Sequence, residues 1–163
     1  MDFSNIQELK RGYSTSYDGV IGLLDKNIEN YSDLADNSKA IKDSIKILMG
    51  DTEYFQKIII KNPEMKVGNL INADMNAKEI YESGGFFSSN KGILPTILKL
   101  IEKVEKEDKK VSKESDDKKK EECKKVCDEH IKEIEAHRNN LKGKVNDFLK
   151  FLEAAGSVEI KKK

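Results

Sequence analysis

The 163-residue chain has no tryptophan, two prolines and two cysteines. Cys123 and Cys127 lie four apart on one predicted helix, a poor arrangement for a bridge, so the core must be built from apolar packing. Reduced thiols in a cytosolic setting suit them best. With so little proline, long stretches are free of helix breakers. An excess of charge is missing too, since 30 Lys and Arg balance 30 Asp and Glu. That balance speaks against bulk electrostatic binding of nucleic acid, and no nucleic-acid partner is expected. No apolar run approaches the ~20 residues of a membrane helix. Met1-Asp2-Phe3-Ser4-Asn5-Ile6 lacks a basic region followed by an apolar run, so no signal peptide is read there. Cytoplasm is the default compartment; a secreted or surface location would require a removed leader.

What is present is charge and spacing. Charged and hydrophobic residues each make up 37% of the chain, and Ile, Leu, Val and Phe recur at helical intervals. The clearest stripe runs through Cys123, Cys127, His130/Ile131, Ile134, His137, Leu141, Val145, Phe148/Leu149 and Leu152, in steps of three and four. A helix of about thirty residues with one narrow apolar stripe needs other helices alongside it. The expected fold is all-α: an elongated antiparallel bundle of four to five helices with a charged helical-hairpin arm, in one domain over residues 1–163. The expected helices span about 5–48, 52–61, 64–82, 93–111 and 117–155.

Ser4 followed by Gln7 has the spacing of a capping box. Ile6, Tyr13, Val20, Asn27, Leu34, Ile41 and Leu48 then recur every seven residues. Tyr17, Leu24, Tyr31 and Ile45 form a second row between them. An unbroken helix here would reach about 65 Å. Gly12, Gly19 and Gly22 weaken its first turns or mark close helix contact, and Asp33, Asp36, Asn37 and Ser38 could break it near residue 36. Asn27 and Ser38 are polar seam positions that would fix register in a continuous helix. Gly50-Asp51-Thr52 reads as a stop and a new cap. Tyr54, Phe55, Ile58, Ile59 and Ile60 form a short apolar helix closed by Asn62-Pro63. After Val104 the chain is charged almost without interruption to Glu122. A hairpin tip at about Ser112–Asp117 is the preferred reading, with one long helix as the alternative. Val158-Glu159-Ile160 reads as a short packed extension, and Lys161, Lys162 and Lys163 as a basic, mobile tail.

Ser83-Gly84-Gly85-Phe86-Phe87-Ser88-Ser89-Asn90-Lys91-Gly92 is the clearest loop. Phe86 and Phe87 have two readings: they plug the end of the bundle, the preferred one, or they stand exposed and dock a partner or a lipid surface. They are the candidate partner-binding residues. Cys123, Cys127, His130 and His137 are the only Cys and His in the chain. They span roughly 20 Å of helix, too far for one ion. At best Cys123, Cys127 and His130 share a site with a carboxylate from elsewhere, or two chains pair; packing on a helix seam is the preferred reading. A redox role would need a depressed thiol pKa. Tyr13, Tyr17 and Tyr31 read as seam packing with hydroxyls near the edge. No phosphate loop, H-E-x-x-H motif or nucleophile elbow appears. Neither catalytic residues, cofactor nor metal is expected.

The leading expectation is a non-enzymatic helical interaction module that binds another protein or pairs with itself. The stretch Leu94-Pro95-Thr96-Ile97-Leu98-Lys99-Leu100 through Lys120, with the long opening heptad helix, resembles BAR-type domains in texture. That resemblance implies an elongated dimer on a curved membrane surface, and no residue is carried over from it. A surface-exposed or secreted microbial helical-bundle antigen is the further alternative.

Overall fold

The computed structural model describes residues 3–66 and 68–160. The chain is all-α, and the described residues form six packed helices. They are α1 (Ile6–Asn27), α2 (Tyr31–Asp36), α3 (Ser38–Lys61), α4 (Gly68–Ile80), α5 (Ile93–Lys113) and α6 (Asp117–Ala155), with a 3-10 turn at Pro63–Met65. The three Lys read as a tail, 161–163, lie outside the described residues.

Every residue of the opening seven-residue row is buried: Ile6, Tyr13, Val20, Asn27, Leu34, Ile41 and Leu48. The helix beneath that row is nonetheless not continuous, which corrects the expected span 5–48. Asn30 caps α2 by accepting from the Ser32 amide at 2.8 Å. Asn27 and Asn37 join the pieces, with Asn37 Nδ2 donating to Asn27 Oδ1 at 2.9 Å. Short Asn side chains satisfy backbone and each other at turns, and so compete with helix continuation. Asn27 therefore fixes a break rather than a coiled-coil register. Ser38 donates to Glu105 Oε2 at 2.8 Å, tying the start of α3 to α5.

Two boundaries shift for related reasons. The cap of α1 is Asn5, which accepts from the Glu8 amide at 2.9 Å. Glu8 reaches back to the amide and hydroxyl of Ser4. Gln7 is thus no capping partner: its Nε2 donates to the carbonyls of Leu152 and Gly156, at 3.0 and 2.9 Å. Gly50 is no stop either, for α3 runs through it to Lys61. Asp51 and Thr52, expected as caps, are buried and face α1. Of the three early glycines, only Gly12 is at a close contact, under the Phe3 ring, and Gly19 and Gly22 face open space.

The core is one contiguous cluster. At its centre Phe148 of α6 packs against Tyr13 of α1 and Phe55 of α3, with ring centroids 4.7 and 5.0 Å apart. Offset aromatic contacts of this kind contribute beyond their buried area. The Tyr13 hydroxyl is buried against Thr52 at 2.9 Å rather than at an edge, and burial raises its pKa. Tyr17 and Tyr31 are half-buried.

α5 and α6 form the expected hairpin. Asp116 caps α6 by accepting from the Lys118 amide, and the turn lies between Lys113 and Asp117. Between Val104 and Cys127 no residue is buried, so this segment is a solvated arm. The two ends of the chain meet. The Ile6 amide donates to Val158 and the Ile160 amide to Ser4, at 2.9 and 3.0 Å. Ile160 is buried, as a packed extension requires.

Candidate functional site: the aromatic loop between α4 and α5

Residues 83–90 leave the bundle between α4 and α5. The loop is closed at its base, where Glu82 and Lys91 exchange both backbone hydrogen bonds at 2.8 Å each. Gln56 of α3 anchors the same base by donating to the Tyr81 carbonyl at 2.6 Å. Within the loop, the Gly84 amide donates to Asn90 Oδ1 at 3.0 Å, and the Ser88 hydroxyl donates to the Gly84 carbonyl. Two glycines make this closure feasible. A side chain on Gly84 would collide with the carbonyls of Ser88 and Ser89. Gly92 has φ +118° and packs against the Ile80 carbonyl, 2.6 Å from where a Cβ would stand. Only glycine adopts such a backbone without strain.

The closed loop holds Phe86 and Phe87 away from the bundle. They are 95% and 96% exposed, so they do not plug the end of the core. The correction has a local cause. The base is closed by the Glu82–Lys91 pair and the Gly84 backbone is held by Asn90 and Ser88, so the eight residues turn back on themselves and carry their tip outward. The rings touch each other edge to face, with centroids 5.2 Å apart. Residues 83–90 carry no charge at all, in a chain of which 37% is charged. Soluble proteins rarely leave adjacent large apolar side chains fully in water without a use for them.

Two shallow depressions flank the loop. One, about 280 Å³, lies between α3 and α4 and reaches Ser83 and Ile60. The other, about 320 Å³, lies between α3 and α5 and reaches Ser89, Asn90, Met49 and Leu98. Ile60 is 72% exposed, and Ile71 and Met75 of α4 are exposed as well. Ile60 is the last member of the apolar run that begins at Tyr54, yet it faces solvent. The sequence reading placed Ile60 in an apolar helix and did not single out Met75, and the exposure of both was not foreseen. No spacing signal sets them apart, since Ile60 ends an apolar run and Met75 stands four residues after Ile71.

The Cys and His residues do not converge. Among the described residues no group of three or more His, Cys, Asp or Glu is placed to hold a metal ion. Cys127 is buried, and burial, followed by the nearby Glu107 and Asp108, pushes its thiol pKa up to about 11. Cys123 is also raised, by burial and by its hydrogen bond with Glu107. Both thiols are thus held protonated, which disfavours the thiolate a redox role needs. His130 Nδ1 is buried without a hydrogen-bond partner. Among the described residues no helix is long and apolar enough to cross a membrane.

The fold and this loop define an all-α bundle that displays a preorganised aromatic pair. Compared with known proteins, the chain matches no family model, no curated protein and no solved structure.

Proposed function

We propose that the protein is a non-enzymatic helical interaction module that engages another protein chain through Phe86 and Phe87. The observation that carries this reading is the pair of almost fully exposed phenylalanines on a closed, uncharged loop. Aromatic side chains are favoured interface anchors because they remove much apolar area from water at small entropic cost. Preorganisation by the Glu82–Lys91 closure lowers the ordering cost of binding further.

The surroundings favour a protein over an anionic membrane. Lys57, Lys66 and Lys78 around the α3–α4 depression are matched by Glu53, Asp74 and Glu82. A membrane-seeking loop gains from a net basic rim. The BAR-like alternative also loses one of the two features that suggested it, since the opening helix is broken at residues 28–30 and 37.

The test is photocrosslinking with benzoylphenylalanine in place of Phe87, in cells making the full chain. A discrete adduct with a protein chain is expected, absent when the same group replaces exposed Ile47 on α3. No adduct at Phe87, or equal labelling at both positions, would overturn the reading.

A further inference from the structure

We infer that the tip of the aromatic loop is a cleavage site for an endoprotease whose specificity pocket takes a large apolar side chain, and that the chain stays folded as two pieces once cut. The site shares its residues with the interaction-module reading but stands without it. An endoprotease binds its substrate as an extended strand with one side chain in a specificity pocket. Helical backbone cannot be bound that way, so nicking concentrates at exposed loop tips with small residues. Among the described residues, Phe86 and Phe87 are the only exposed aromatics. Tyr17, Tyr31, Tyr54 and Phe151 are half-buried in helices, and Tyr81 is buried. Gly84 and Gly85 before the pair and Ser88 and Ser89 after it are small enough for a narrow cleft. The class of protease follows from what else is exposed. A lysine-directed enzyme would meet exposed Lys66, Lys91 and Lys113 in or beside connections, whereas one directed to aromatics meets this loop alone.

The loop can enter such a cleft without disturbing the core. None of residues 83–90 is buried. Exposed side-chain bonds hold the tip, between Gly84 and Asn90, Ser88 and Gly84, and Gly85 and Ser83. Opening it therefore costs little, and cleavage follows the open form. Glu82 and Lys91 exchange both backbone bonds, which sets their Cα atoms about 5.5 Å apart. The chain between them spans roughly 30 Å at full extension. That slack lets the residues around Phe87 extend while the base stays shut. Water then adds across the Phe87–Ser88 amide: the C–N bond breaks, Phe87 gains a carboxylate and Ser88 an ammonium group. The piece 1–87 holds α1 to α4, and the piece 88–163 holds α5 and α6. Phe148 of the second packs on Tyr13 and Phe55 of the first. Ser38 and Lys42 bond to Glu105, and the Ile6 amide to Val158, across the same division. The cut touches none of these contacts.

Chymotrypsin, whose pocket takes large apolar side chains, tests this on the full chain. At limiting enzyme, mass spectrometry should find one early cut, after Phe86 or Phe87. The two pieces should elute together on gel filtration and keep the circular dichroism of the uncut chain. Phe86→Ala/Phe87→Ala should be cut about tenfold or more slowly. Both side chains are exposed, so its thermal melt should coincide with wild type and exclude misfolding as the cause. No cut in the loop, an earlier cut elsewhere, an unchanged rate in the double alanine variant, or pieces that separate overturns the proposal. The benzoylphenylalanine experiment fails or succeeds independently. A chain cut as expected that gives no discrete adduct rejects the interaction-module reading and leaves the cleavage site standing. A discrete adduct on a chain that resists chymotrypsin in the loop does the reverse.

Discussion

The opening segment and the closing helix carry the same kind of apolar pattern and fold differently. From Ile6 to Leu48 a seven-residue row is buried throughout, yet it is spread over three helices. From Asp117 to Ala155 a comparable stripe lies on one helix of 39 residues. The difference is not in the apolar positions. It lies in what the Asn side chains bond to: Asn30 caps α2 and Asn37 donates to Asn27 across the break, whereas Asn139, Asn140 and Asn146 stand inside the unbroken α6. Periodicity therefore reports which side chains face the core, while a helix breaks only where a short amide side chain also finds a capping or bridging partner.

The comparison can be broken most forcefully at the shared feature. Ile41→Asp and Ile134→Asp each bury an unpaired charge at a fully buried position, one in each segment. Each should cost about 4 kcal/mol or more and unfold the chain at ambient temperature, as read by circular dichroism. If one variant retained wild-type stability, its stripe would not be core.

Two carboxylates between the helices respond to pH in opposite senses. Burial raises the pKa of Asp51, only partly offset by the hydrogen bond from Ser16, and Asp51 Oδ1 has no hydrogen-bond partner. Its folded pKa lies above the unfolded value, so its contribution is present at low pH and is lost as pH rises through the folded pKa. Asp51→Asn should therefore stabilise the protein at neutral pH by about 1 kcal/mol, the scale of one unmet buried polar group. The gain should vanish in acid. Glu105 is also pushed up by burial, but the hydrogen bonds from Lys42 and Ser38 outweigh this and leave its pKa lowered. That contribution is present above the unfolded pKa and is lost as pH falls through the folded one. Glu105→Gln should weaken the protein at neutral pH and converge with wild type in acid. Urea unfolding at several pH values reads both variants; parallel pH profiles for all three proteins would contradict these assignments.

The break itself is tested by Asn30→Ala. Removing the α2 cap should cost about 1 kcal/mol, measured by urea unfolding, whereas an alanine at an uncapped exposed site of α6 such as Lys132 should change little. Smallest of all, Gly50→Ala should stabilise by about 0.5–1 kcal/mol, because Gly50 lies inside α3 and a Cβ there meets no atom within 4 Å. Were Gly50 the helix stop its sequence suggests, the same change would destabilise.

Much of the fold was legible. The seam residues, the α5–α6 turn and the loop at 83–92 all follow from spacing and turn chemistry. The breaks were less so, because Asn27 on a seam fits both a buried register residue and a junction. Ser4 and Asn5 are both good caps, and only tertiary contact decides that Gln7 serves the end of α6. The candidate site was half legible. Its residues stand out as an aromatic pair in a Gly/Ser loop, but packed and exposed aromatics share that signature. The distinction rests on the Glu82–Lys91 closure, a pairing across eight residues that no periodicity announces.

The hydrogen bond from Ile160 to Ser4 has a topological consequence. It turns the described chain from a line into a ring of helices, in which α6 is followed by α1 as α5 is followed by α6. Which contacts count as long-range then depends only on where the ring is cut. A chain joined at that hydrogen bond and opened at the solvated turn before Asp117 would keep every helix whole, and would make the Tyr13–Phe148 contact the product of one short connection.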